Sequence, residues 1–187
     1  MFTIKNNIIK TYEIKKSKFI TSLYKVNSIN EIDNILNNVK QEYKGATHYC
    51  YSYILDNNIK YNDDKEPSGT AGLPIYNVLL KNSLNHILCI VVRYFGGIKL
   101  GASLLTRTYS NVVKDSLDNI IPLTKYINIT IKFKFENEHE INKLDFILND
   151  KKYDEYVIYD IDIEYDKLNE FKNNKYIIEL IEKEIKY

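Results

Sequence analysis

Arginine is almost missing from this chain: 187 residues hold two. Prolines number three, alanines three and glycines six. These scarce residues are not scattered. Thirteen of the fourteen lie between Gly45 and Arg107, and Pro122 is the exception. The remainder is rich in Lys, Asn, Ile and Tyr, which points to an AT-rich coding sequence. Residues with GC-rich codons persist in one third of the chain, where backbone geometry or chemistry requires them. Long apolar runs are also missing. The longest, Ile87–Val92, is far too short to span a bilayer. The opening MFTIKNNIIK has no apolar signal-peptide core, so the expected setting is cytoplasmic, with no membrane contact. Cysteine is scarce too. Cys50 and Cys89 show no CxxC and no metal-ligand spacing, which leaves buried reduced thiols as the expectation.

What is present suffices for one mid-sized domain or two small ones. The net charge of +1 hides an asymmetry. Residues 1–135 carry 18 Lys+Arg against 10 Asp+Glu, and residues 136–187 carry 8 against 15. The first part suits a polyanion and the second repels one. Two solvated surfaces of opposite sign that dock on each other fit the same counts.

Periodicity sets out the elements. Phe2–Ile14 and Lys18–Val26 alternate as strands do. Ser28-Ile-Asn-Glu31 is a capping box, and the apolar spacing after it predicts a helix over 29–43. Ala46–Leu55 predicts a strand with a tyrosine stripe on one face, followed by a hairpin into Ile59–Tyr61. The stripe reads as a sheet face more readily than as a base-stacking platform. A helix is expected over 75–84 with Pro74 in its first turn. His86–Tyr94 is apolar on both faces and predicts a strand covered on both sides. A helix over 102–118 follows, with Leu105, Tyr109, Val112 and Val113 on its apolar side and Arg107 and Lys114 on its polar side. After Pro122, Tyr126–Phe135 predicts a strand and Glu138–Leu148 a helix. Tyr153–Tyr165 predicts one bent strand or two short ones. Leu168–Ile185 is mostly helical by spacing, its last residues being open to a closing strand. The order fits β-α-β-β-α-β. The implied class is α+β, with domains at 1–121 and 122–187.

Both glycine-bearing segments, Ser68-Gly69-Thr70-Ala71-Gly72 and Gly96-Gly97-Ile98-Lys99-Leu100-Gly101, stand directly before a predicted helix. A helix N-terminus presents unpaired amides and a positive dipole, and glycine lets an anion approach closely. Arg93 ends the buried strand, and His86–Lys114 holds four Lys/Arg and no Asp/Glu. One reading is a phosphate-type anion site built from both loops with Arg93, Lys99 and Arg107. The other is two tight turns that need glycine, capped by Ser or Thr, with Arg93 bonding backbone carbonyls. Neither loop has Walker A or Rossmann spacing. Beside the first loop, His48, Asp63, Asp64 and Glu66 are accessory candidates for acid–base work. His48 reads equally as a packed core histidine, and the acidic run as a solvated loop. A divalent ion on Asp63, Asp64 and Glu66 is a further alternative; no metal and no cofactor are expected.

EPSGTAGLP (66–74) and VVRYFGGIKLGASLLTRTYS (91–110) resemble the YigZ/IMPACT family, as do KSKFI (16–20) and ATHYCYSY (46–53). The motifs cover about residues 1–120, and the domain order extends the resemblance to the end. The resemblance implies a ribosomal-protein-type N-terminal domain with the left-handed β-α-β crossover of GHMP kinases. It also implies a C-terminal ferredoxin-like domain similar to the last domain of elongation factor G. It implies a role in translation: eukaryotic members act on the protein that activates the general amino-acid-control kinase, and a nucleic-acid or ribosome role is proposed for bacterial ones. Glu66 to Gly72 fall on the first family motif. Arg93, Tyr94, Gly96, Gly97, Lys99, Leu100, Gly101 and Arg107 fall on the second. Three positions depart from the pattern. Lys65 stands at a usual glycine, Ser103-Leu104 at a usual Gly-Gly and Thr108 at a usual alanine. The expected function is a translation regulator that holds RNA or the ribosome through a phosphate-binding face. A protein-interaction module and a hydrolase or phosphoryl-handling enzyme are the alternatives, although no nucleophile–base pair is visible in the sequence.

Overall fold

Alternating and helical patterns along the chain resolve, in a computed structural model that describes residues 1–187, into two units, Met1–Leu123 and Thr124–Tyr187. The first unit runs β1 (Phe2–Ile4), β2 (Ile8–Ile14), β3 (Ser17–Lys25), α1 (Ile29–Glu42), β4 (His48–Leu55), β5 (Asn58–Asn62), α2 (Gly72–Lys81), β6 (Ile87–Tyr94), α3 (Ala102–Lys114) and β7 (Ile120–Pro122). Five strands form one antiparallel sheet in the order β2-β3-β6-β4-β5. Strands β3 and β4 therefore point the same way on either side of β6, joined by a crossover through α1.

The two-sided apolar pattern of β6 follows from its central place. Ile87, Cys89 and Val91 join a core with α2 and α3 residues such as Ile75, Leu79, Leu105, Tyr109 and Val112. Leu88, Ile90 and Val92 join a second core with Ile32 and Val39 of α1. The tyrosine stripe of β4 packs on this second core: Tyr49, Tyr51 and Tyr53 lie against it. The sheet-face reading of those rings is the one the packing supports.

Helix α1 starts where its capping box lies. The Ser28 hydroxyl accepts from the Glu31 amide at 3.2 Å, and the Glu31 carboxylate accepts from the Asn27 amide at 2.8 Å. Helix α2 starts three residues before the expected 75 and ends at Lys81 rather than 84. Its first-turn amides are held by a carboxylate from outside the helix, which local spacing cannot show. Helix α3 ends at Lys114, four residues short of the expected 118. The expected strand Phe2–Ile14 breaks in two, because β1 leaves the sheet to pair with β7.

The second unit runs β8 (Tyr126–Phe133), α4 (Glu138–Ile141), β9 (Ile147–Tyr153), β10 (Val157–Glu164), α5 (Leu168–Lys172) and β11 (Ile177–Lys186). Its antiparallel sheet has the order β11-β8-β10-β9, which is the ferredoxin-like order. The class is α+β, as the sequence implied. Ile127, Ile129, Ile131 and Phe133 of β8 pack with Val157, Tyr159, Ile161 and Ile163 of β10 beneath Ile141, Leu168 and Phe171. Two expectations are corrected. Glu138–Leu148 is helical only to Ile141, and Ile147 and Leu148 belong to an exposed edge strand. Leu168–Ile185 is helical only to Lys172, and the rest is β11. Strand β11 pairs with β8 through register shifts at Ile177/Glu179 and Glu182/Ile185, which erase the two-residue alternation that marks a strand. Long-range pairing overrides a helix-like pattern here. No helix is long and apolar enough to cross a membrane.

Both thiols are fully buried, and burial pushes each above the usual thiol range. Iodoacetamide at about pH 8 should leave Cys50 and Cys89 unmodified in the folded protein, with both alkylated in denaturant. Mass spectrometry of the two samples reads this directly, and labelling of either thiol without denaturant contradicts the packing described above.

Candidate functional site

The register of the sheet brings three distant segments together. Arg93, near the end of β6, pairs across the sheet with Phe19 of β3 on one side and His48 of β4 on the other. Its side chain is 4% exposed. A guanidinium that deeply placed needs a partner. Arg93 Nη1 donates to Glu66 Oε1 at 2.6 Å, and Nη2 donates to Ser17 Oγ at 3.3 Å. The rings of Phe19 and Phe95 lie 5.3 and 5.6 Å from its charge centre. Glu66 is as deep, with 3% of its side chain exposed. The Tyr109 hydroxyl of α3 donates to the same Oε1 at 2.8 Å. Burial pushes that hydroxyl above the usual phenol range, so it stays a donor. Cys50 Sγ lies 3.4 Å from it and 3.0 Å from the Asp63 carbonyl.

His48 Nδ1 lies 2.7 Å from the Asp64 carbonyl. A carbonyl only accepts, so Nδ1 carries a proton and Nε2 is the ring nitrogen left for another partner. That Nε2 is 3.8 Å from Glu66 Oε1. Of the accessory candidates, His48 and Glu66 do converge. Asp64 takes part through its carbonyl, while its carboxylate accepts from the Tyr49 amide at 2.7 Å. No group of His, Cys, Asp and Glu side chains is gathered as metal ligands would be.

The first glycine loop already holds an anion, and it is the chain's own. Asp63 Oδ2 accepts from the Gly69 amide at 2.8 Å, and Oδ1 accepts from the amides of Ala71 and Gly72 at 3.0 and 2.8 Å. The Thr70 hydroxyl turns back onto the Pro67 carbonyl at 2.6 Å, and Ser68 is exposed. An outside phosphate would have to displace Asp63 from this nest.

The second loop is different. Gly101 is the N-cap of α3 at φ 76, a conformation that favours glycine, and no side chain caps the first turn. Gly96 is fixed by a close approach: a Cβ there would stand 1.9 Å from the Lys16 carbonyl oxygen. Its amide donates to Ser17 Oγ at 3.2 Å. Lys99, Gly97 and Arg107 are exposed. Leu104, at the family's usual glycine, packs against the core of the first unit, and Thr108 is buried.

Beside the second loop lies a cleft of about 410 Å³. His48, Glu66 and Arg93 line it together with Phe95, Lys99 and the first turn of α3 at Gly101 and Ala102. Its walls are otherwise apolar, and Phe95 is 45% exposed. The sequence reading missed two contributors, Tyr109 and Ser17, and gave Asp63 a different role. Tyr109 was placed by spacing on the core side of α3, and the signal for more is that a buried tyrosine hydroxyl needs a partner. Ser17 and Asp63 act by anchoring, for which local spacing carries no sign.

The Impact N-terminal domain family matches residues 15–117, the span that contains every one of these residues. The chain belongs to the IMPACT family. It is 35% identical to the IMPACT family member YvyE of Bacillus subtilis over 91% of this chain and 82% of that one. It is 34% identical to YigZ of Escherichia coli over 61% of each chain. A crystal structure titled only as an hypothetical protein is 27% identical, with a TM-score of 0.65 over 91% of this chain and 88% of that one. The family's usual glycine at position 65 has a physical cause here. Lys65 adopts φ 68, a left-handed conformation.

Two substitutions test this description. Arg93→Ala strands the Glu66 charge and should cost about 3–5 kcal/mol of stability by chemical denaturation. Arg93→Met with Glu66→Gln should recover much of that loss. Lys65→Gly should raise stability by up to about 1 kcal/mol, because the strain relieved exceeds the chain entropy added.

Proposed function

We propose that this IMPACT-family protein regulates translation by holding RNA or the ribosome through phosphate contacts. The observation that carries the reading is the uncapped first turn of α3, with Lys99 exposed beside it and Arg107 exposed further along the helix. Free amides, a positive helix end and mobile cations are what a phosphate backbone seeks. The charge balance agrees: residues 1–123 sum to +5 and residues 124–187 to −4. Contacts of this kind position an RNA and do not read its bases. The translation role rests on family resemblance.

The proposed contact is narrower than the whole motif. Arg93 supports Glu66, and the amides of Gly69, Ala71 and Gly72 support Asp63, so neither set is free for phosphate. Lys99, Arg107 and the Gly101–Ala102 turn remain. The acid–base alternative has His48 beside Glu66, but the neighbouring thiol, Cys50, is buried and pushed toward its neutral form.

Cosedimentation with ribosomes and with bulk RNA at low and high salt tests the reading. The comparison is wild type against Lys99→Ala/Arg107→Ala, which leaves the buried pair intact. Binding should fall steeply with salt, and the variant should bind more weakly with a shallower salt slope. Binding that persists at high salt and ignores the variant would replace this reading with the protein-interaction one.

A further inference from the structure

We propose that the cleft beside the second glycine loop seats a single 5′-ribonucleotide, free or at the end of an RNA chain. The inference deepens the phosphate-contact reading and rests on it for the anionic end only. Three chemically different parts of the cleft match three parts of one ligand.

The anionic end is the first turn of α3. Gly101 and Ala102 line the cleft there, no side chain caps the helix, and Lys99 stands at the wall. A phosphate monoester suits amides and a lysine together.

The donor-seeking end is the floor. His48 Nδ1 is committed to the Asp64 carbonyl, which leaves Nε2 as the ring nitrogen a ligand can meet. Glu66 is nine-tenths buried and lines the cleft, and the contacts that pin it all fall on Oε1. No protein donor reaches its Oε2. Glu66 Oε2 and His48 Nε2, on adjacent side chains, call for two neighbouring hydrogen-bonding groups on one ligand, one of them a donor to Oε2. The charge of Glu66 is already balanced by Arg93, so an ammonium would gain little there and would stand beside a guanidinium. A pair of neutral hydroxyls fits better, and the vicinal diol of ribose supplies it.

The third part is the aromatic wall. Phe95 is 45% exposed at the cleft, its backbone amide fixed to Thr47 Oγ1 at 3.0 Å. A flat base stacks on such a ring with little sequence preference. A volume of about 410 Å³ is that of a site for one small ligand.

The probes are 5′-AMP, 5′-dAMP, ribose 5-phosphate and inorganic phosphate, titrated calorimetrically into the full chain at low salt. AMP should bind, dAMP about tenfold more weakly for the lost hydroxyl, and ribose 5-phosphate at least about fivefold more weakly for the lost stack. His48→Gln should erase the difference between AMP and dAMP. Phe95→Ala should bring AMP down to ribose 5-phosphate and leave ribose 5-phosphate unchanged. Equal binding of AMP and dAMP to wild type overturns the proposal, as does phosphate binding as tightly as AMP or the absence of AMP binding. These wild-type comparisons stand even if a variant fails to fold. Short 5′-phosphorylated RNA and DNA of one sequence distinguish the sources. AMP binding with no RNA binding keeps the nucleotide site and removes the RNA reading. RNA binding with AMP and dAMP equal keeps the RNA reading and removes the site.

Discussion

One buried ion pair organises the first unit. Glu66 and Arg93 come from different loops and strands, and each leaves water only because the other is present. Around them, Tyr109 fixes α3, Ser17 fixes the start of β3, and Phe19 and Phe95 cover the guanidinium. The Phe95–Gly101 loop then has a floor to sit on. Gly96 completes the contact by lying against the backbone of Lys16 and Ser17. Exchange the pair for one unpaired charge, and the cleft loses its base.

The same accounting reassigns the two glycine loops. They look alike in sequence, each glycine-rich and each ahead of a helix. The Asp63 carboxylate separates them, closing the first and leaving the second open. A helix N-terminus follows both loops, once holding an internal carboxylate and once with no side-chain cap. That division turns a broad phosphate face into a small opening beside Lys99.

The central strand and the approximate positions of the first unit's three helices were legible in the sequence, because burial on two faces and capping and apolar spacing leave local marks. The motif placed Glu66 and Arg93 in the site but did not pair them, since nothing in spacing says which distant charge a buried arginine meets. Asp63 read as part of an acidic loop, and its role depends on amides six to nine residues away folding back onto it. In the second unit, Ile177–Lys186 carried a helical pattern, and the register shifts in β11 removed the alternation that would have argued against it. Local rules fail where a distant partner decides.

The first glycine loop and the floor of the cleft differ in how much chain must close to form them. Asp63 reaches its amides across separations of six, eight and nine residues. The floor joins Glu66 to Arg93 across 27 residues, Glu66 to Tyr109 across 43, and Arg93 to Ser17 across 76. Closure entropy rises with separation, and distant pairings form later than near ones. The Ser68–Gly72 turn can therefore be in place before α3 arrives, holding Glu66 ready for the arginine. In kinetic terms, the carboxylate that closes the first loop prepares Glu66 for partners that must arrive from farther away in the chain.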